Sequence, residues 1–208
     1  MFFDDCAKNW DTDRRINRAK IISEEIANSI DINKKYSVME FGCGTGLISF
    51  NLVEKFENIT LIDSSKGMID VVKEKIEKYE VDNMKPYAID LFNEEIIEKF
   101  DLIYTSMVLH HIQDISGLAN KFYTLLNDSG QVIIVDLDKE DGSFHKNEPG
   151  FNGHNGFEQE KLKNIFIAVG FRDVESTTFF YDEKKIEDKN VKYSLFIMKA
   201  QKHLDSEI

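Results

Sequence analysis

Cysteine, basic charge and long apolar runs are what this 208-residue chain has little of. Two cysteines, Cys6 and Cys43, cannot build a disulfide framework. Lys and Arg number 26 against 38 Asp and Glu, a formal charge of −12. That balance argues against a nucleic-acid partner, because phosphate-backbone binding runs on clustered Lys and Arg. No apolar run is long enough to span a bilayer, and MFFDDC at the N-terminus has acids where a signal peptide has a basic region. The expectation is a cytoplasmic protein with no membrane partner. Its length suits one domain with a full core: an N-terminal arm and helix over 1–33, a core over 34–200 and a tail over 201–208.

What is present centres on Val38 to Gly46, VMEFGCGTG. A short apolar run breaks at Gly42, Gly44 and Gly46 and reopens as the helical pattern Leu47 to Val53. A strand that turns at glycines into a helix is the first turn of a nucleotide-binding βαβ unit. Dinucleotide sites carry G-x-G-x-x-G with a pyrophosphate on the helix N-terminus, whereas the third glycine here comes one residue early. Glu40, just before the loop, would repel a phosphate but suits a ligand bearing an ammonium and a sulfonium.

On these residues the chain resembles the class I S-adenosylmethionine-dependent methyltransferases. The resemblance implies an α/β fold: a Rossmann-like, doubly wound seven-stranded sheet of order 3-2-1-4-5-7-6 with one antiparallel strand. It also implies S-adenosyl-L-methionine as cofactor and S-adenosyl-L-homocysteine as product.

The pattern along the chain fits. Residues 1–12 hold Phe2, Phe3 and Trp10 among polar residues, as a packed arm or a lid, and Ala19, Ile22, Ile26 and Ile30 mark one face of a helix. Ile59 to Ile62 reads as a strand ending in Asp63, 17 residues after Gly46, where an acid hydrogen-bonds ribose hydroxyls. Asp63 as a helix cap is the competing role, with Ser64 or Ser65 as other caps. Met84 to Ile89 is a third strand, placed at an edge by Pro86, and it ends in Asp90 and Leu91. Phe100 to Val108 is a fourth strand running into His110 and His111. A helix from Asp114 closes at the turn Asn127–Gly130, and Gln131 to Leu137 is a fifth strand. After a helix over Phe157 to Val169 come strands Phe171–Tyr181 and Val191–Lys199, joined by a charged turn.

By motif position the resemblance implies donor contacts at Glu40, Gly42, Cys43, Gly44 and Gly46 in the glycine loop. Asp63 and Ser64 fall on the ribose, Met68, Asp90 and Leu91 on adenine, and Ser106 at the end of the fourth strand. The acceptor side is less legible. The 19 residues Asp138 to Gly156 show no helix or strand pattern, and loops that long are usually functional or disordered. This one carries Asp138, Asp141, Phe144, His145, Phe151 and His154, a mixture unlike a disordered segment. His111, His145 and His154 are the candidate catalytic bases. A metal held by His145, His154 and the aspartates matches no known ligand spacing, so no metal is expected.

A methylsulfonium is already activated, so alignment of the reactants supplies the larger part of the acceleration. Holding them in line contributes roughly 7–11 kcal/mol, against about 10²–10⁴-fold from a general base. TSMVLHH follows the fourth strand where nucleobase amino-methylating enzymes carry an N-P-P-Y type motif, and the chain has only two prolines. The expected activity is therefore methyl transfer to an O, N or S nucleophile of a small molecule, by a monomer or homodimer. Alternatives are a protein acceptor, a non-catalytic partner subunit that keeps the fold, or a nicotinamide-dependent oxidoreductase.

Overall fold

The computed structural model describes residues 2–148 and 150–203. They form two compact units, one up to Tyr104 and one from Thr105 on. The sheet has seven strands in the order β3-β2-β1-β4-β5-β7-β6. The strands are β1 (Ser37–Phe41), β2 (Asn58–Asp63), β3 (Met84–Ala88), β4 (Phe100–Ser106), β5 (Leu126–Leu137), β6 (Phe171–Ile186) and β7 (Lys189–Lys202). β1 pairs parallel with β2 and β2 with β3, while β7 runs antiparallel to both β5 and β6. Order and direction are those expected.

In the first unit, Val38, Met39, Glu40 and Phe41 of β1 are all buried. A strand covered on both faces needs such a near-continuous apolar run, and Glu40 is the exception that calls for an explanation. Pro86 stands opposite Leu61 on edge strand β3, where a missing N–H leaves no second neighbour unpaired. Helix α2 (Asp13–Asn28) buries Ala19, Ile22 and Ile26, the spacing of one helical face, and its cap Thr12 accepts from the Arg15 N–H. Helix α3 (Leu47–Leu52) follows the glycine loop, and α4 (Lys66–Lys78) follows β2.

Of residues 1–12, an arm or a lid by sequence, those described pack on α4. Helix α1 (Phe2–Cys6) presents Asp4, whose Oδ1 accepts from Ser65 Oγ at 2.7 Å and from the Gly67 N–H at 2.8 Å. Asp11 takes a hydrogen bond from Thr45 and an ion pair from Lys75, both at 2.5 Å.

In the second unit, helix α5 (Ile115–Leu125) is capped by Asp114, which accepts from the Gly117 N–H at 2.8 Å. The segment expected to turn at Asn127–Gly130 instead belongs to β5. Side-chain donors from the end of β7 reach its carbonyls: Lys202 Nζ to Leu126 O at 3.0 Å and Gln201 Nε2 to Ser129 O at 3.1 Å. Ser129 absorbs the irregularity at φ +62°.

Helix α6 (Gln159–Val169) ends at Gly170, φ +121°. The charged stretch whose polarity predicts a turn is paired strand as far as Ile186 opposite Lys189, and only Glu187 and Asp188 connect β6 to β7. Opposite charges sit across the ladder, as Glu183 does from Lys192, so the polarity that suggests a turn lies on a solvated strand face. The tail expected from 201 begins later, because β7 runs to Lys202; residues 204–208 lie outside the described residues. No helix among the described residues is long and apolar enough to cross a membrane.

Candidate active site

The glycine loop leaves β1 and folds over the end of β2. The Gly42 and Cys43 N–H groups both donate to Ile62 O, at 2.8 and 3.0 Å. Gly42, Gly44 and Gly46 have φ of +68°, +53° and +80°, left-handed backbone that side-chain-bearing residues rarely adopt. Among the described residues a Cβ built on Gly44 meets only Trp10 Nε1, 4.0 Å away, so the loop face at Gly44 is open to them apart from the N-terminal arm.

Asp63, at the end of β2, ties this loop to the next helix. Its Oδ2 accepts from the Gly44 N–H and its Oδ1 from the Ser65 N–H, each at 2.8 Å. Burial raises its pKa against the lowering effect of those two bonds. A carboxylate so placed keeps a second lone pair on each oxygen for further donors. Ser65, rather than Asp63 or Ser64, caps α4 by accepting from the Met68 N–H at 3.2 Å, and Ser64 is exposed.

Most of the other residues expected to meet the donor are buried or hydrogen-bonded within the protein. Glu40, expected to meet the ligand's ammonium, is 2 % exposed, and its carboxyl accepts from Ser49 Oγ, which lies 2.6 Å from Tyr104 Oη. Burial pushes its pKa up to about 8, partly opposed by the Ser49 hydrogen bond. Cys43 is buried, and burial followed by the charges of Glu40 and Asp63 drives its pKa well up, which makes an unreactive thiol. Met68 and Leu91 are 2 % and 3 % exposed, members of the core. Asp90 uses its carboxylate inside its own loop, accepting from the Phe92 N–H at 2.9 Å and from Asn93 Nδ2 at 2.6 Å. Ser106 is the half-buried last residue of β4.

The second unit gathers histidines. His110 and His111 stand on a 3-10 turn after β4, and His145 comes from the long loop. One ring nitrogen of each lies within 4.8 Å of the others. His110 Nδ1 is 2.5 Å from Oδ1 of Asp136, a fully buried carboxylate on β5. Burial raises the Asp136 pKa, but His110 and the backbone N–H groups of Leu137 and His110 outweigh it, leaving a net lowering. Burial lowers His111 to about 4 and His145 to about 3, with His110 adding to both, so both rings are neutral near pH 7.

His154, expected beside His145 as a base, is not in this group. Its N–H donates to His110 O at 2.7 Å while its ring lies 5.2 Å from Phe157. Gly153 makes that approach possible, since a Cβ there would stand 1.9 Å from His110 O. The loop aspartates are also committed elsewhere. Asp138 accepts from Gln159, Thr178 and Ser194, and Asp141 accepts from the Ser143 N–H, so neither joins His145. The backbone contact from residue 154 brings the loop to His110, while the His154 ring packs beside Phe157.

Sequence reasoning passed over Asp136, although a carboxylate inside QVIIVDL was a signal: an acid in a doubly covered strand needs a partner. Ser49, Tyr104, Asp11 and Lys75 carried no such signal.

A family model described as a methyltransferase domain matches residues 13–176. The chain belongs to the methyltransferase-domain family. An uncharacterized methyltransferase of Schizosaccharomyces pombe is 32% identical over 154 residues, covering 67% of this chain and 54% of that protein. Malonyl-[acyl-carrier protein] O-methyltransferase 1 of Ilyobacter polytropus is 30% identical over 120 residues, 54% of this chain and 44% of that protein. This methyltransferase domain thus spans about half the length of the curated relatives it matches. Among solved structures, the Haemonchus contortus phosphoethanolamine N-methyltransferase 2 complex with phosphomonomethylethanolamine and S-adenosylhomocysteine superposes with a TM-score of 0.72. It is 16% identical, over 90% of this chain and 53% of that one. The sheet order is that of the class I S-adenosylmethionine-dependent methyltransferases, as the resemblance implied.

Proposed function

We propose that this methyltransferase domain binds S-adenosyl-L-methionine at the glycine loop of residues 42–46 and at Asp63 and transfers its methyl group to an O, N or S nucleophile of a small molecule. The observation that carries the reading is the Gly44–Asp63 bond. It holds an open, left-handed glycine loop against a carboxylate that still has lone pairs for ribose hydroxyls. When bound, the donor supplies a methyl already activated on a sulfonium. The residues of this chain contribute the rest: Gly44 gives room for close approach, Asp63 accepts hydroxyl donors, and the buried Glu40–Ser49–Tyr104 chain props the loop from beneath.

Relatives named for O-methylation and for N-methylation both occur, so the attacking atom is left to experiment. A small acceptor fits the −12 charge better than a nucleic acid.

Calorimetric titration with S-adenosylhomocysteine and, separately, with NAD tests the donor site. Binding of the first and not the second is expected. In Gly44→Val, S-adenosylhomocysteine binding should vanish while circular dichroism stays native-like; tighter binding of NAD by the wild type would refute the reading.

A further inference from the structure

Buried imidazoles need partners for their nitrogens, as other buried polar groups do. The histidines of the second unit are packed ring to ring, His110 4.2 Å from His111 and 4.7 Å from His145, with 5.5 Å between His111 and His145. His110 commits Nδ1 to Asp136, which leaves Nε2 as its remaining nitrogen. His145 stacks face to face on Phe151, centroids 3.9 Å apart at 6°, and its buried Nδ1 has no hydrogen-bond partner among the described residues. Packing alone does not account for this, because a phenylalanine at 145 would stack as well without burying an unpaired nitrogen.

We propose that His110, His111 and His145 form a site for a divalent first-row transition metal, zinc in the first instance, with Asp136 behind His110. The fourth coordination position is open to water or to an oxygen ligand. Three histidines with one open position are a recognised zinc donor set, and imidazole is a favoured ligand for such metals. A carboxylate on the far nitrogen of a ligating histidine fixes its tautomer and orientation, and Asp136 stands in that relation to His110. Glu148 Oε2 lies 3.8 Å from His145 Nε2, the other nitrogen of that ring.

Nitrogens about 2.0–2.1 Å from a tetrahedral zinc are roughly 3.3 Å apart. The present limit of 4.8 Å therefore has to contract by about 1.5 Å. His145 comes from a loop rather than a sheet strand, so side-chain rotation and a small loop shift can supply this.

The test uses the full chain without a polyhistidine tag, stripped with a chelator and titrated with Zn²⁺ by calorimetry and with Co²⁺ by visible absorption, in the absence of methyl donor. One equivalent of metal per chain is expected, with the absorption of a low-coordinate cobalt site. Asp136→Asn should weaken binding by roughly 10–100-fold, and His111→Asn and His145→Asn by more than that, while His203→Asn binds as wild type. Absence of stoichiometric binding overturns the proposal, and so does binding unchanged in His111→Asn or lost in His203→Asn. Should His145→Asn fail to fold, the half-buried His111 still decides the matter. Because no donor is present, a negative result leaves the transferase reading standing, and loss of donor binding leaves the metal site standing.

Discussion

Glu40 makes the stability of this protein fall as pH rises across a range in which most carboxylates are silent. Its pKa moves from 4.5 to about 8 because burial penalises the charged form. Between those values the folded state holds a proton that the unfolded chain has released. Stability contributed by this group is therefore greatest below pH 4.5 and is lost progressively up to about pH 8, at about 1.4 kcal/mol per pH unit. From pH 5 to 8 the loss amounts to about 4 kcal/mol. Glu40→Gln keeps the shape and an acceptor for Ser49 but cannot ionise. The two proteins should be nearly equally stable at pH 5, and the variant should be the more stable by about 4 kcal/mol at pH 8. For a chain of this length that is roughly 8–16 °C in Tm. Urea midpoints and thermal scans of both proteins across this range are the assay; taking the difference removes every other titrating group. Parallel curves, within about 0.5 kcal/mol at all pH values, would refute the reasoning and mean that Glu40 is charged and solvated in the fold.

Asp63→Ala removes the acceptor shared by the Gly44 and Ser65 N–H groups. It should weaken S-adenosylhomocysteine binding by about 1–3 kcal/mol, and an unchanged calorimetric Kd would remove Asp63 from the donor site. Gly153→Ala forces a Cβ to 1.9 Å from His110 O. It should destabilise the protein by about 1–3 kcal/mol and open the loop to limited proteolysis near residue 154; wild-type stability and protection would contradict the close approach. Asp136→Ala leaves the buried His110 Nδ1 without its partner and should cost about 1–3 kcal/mol in urea denaturation, whereas a loss under about 0.5 kcal/mol would show that this contact contributes little.

Local physics makes most of the fold legible in one dimension. Apolar runs of strand length, helical stripes such as Ala19, Ile22 and Ile26, and glycines at a strand end are short-range patterns, and β1, α2 and the loop at Gly42–Gly46 follow them. The same patterns mislead where a distant segment supplies the decisive hydrogen bonds. Asn127–Gly130 has turn chemistry, yet it belongs to β5, where Gln201 and Lys202 donate to the carbonyls of Ser129 and Leu126. Charge from Asp182 to Lys192 suggests a turn, yet cross-strand pairing spends it on a ladder.

The candidate site divides in the same way. That a glycine loop and an acid 17 residues later belong together was settled by the order of residues along the chain, because a βαβ unit returns its second strand beside its first. Which histidines meet was not: His145 reaches His110 and His111 across more than thirty residues, through a loop whose path depends on Gly153 lying on His110 O. Nor could order alone show that Glu40 is buried against Ser49 and Tyr104, since desolvation is a property of what surrounds a side chain in space.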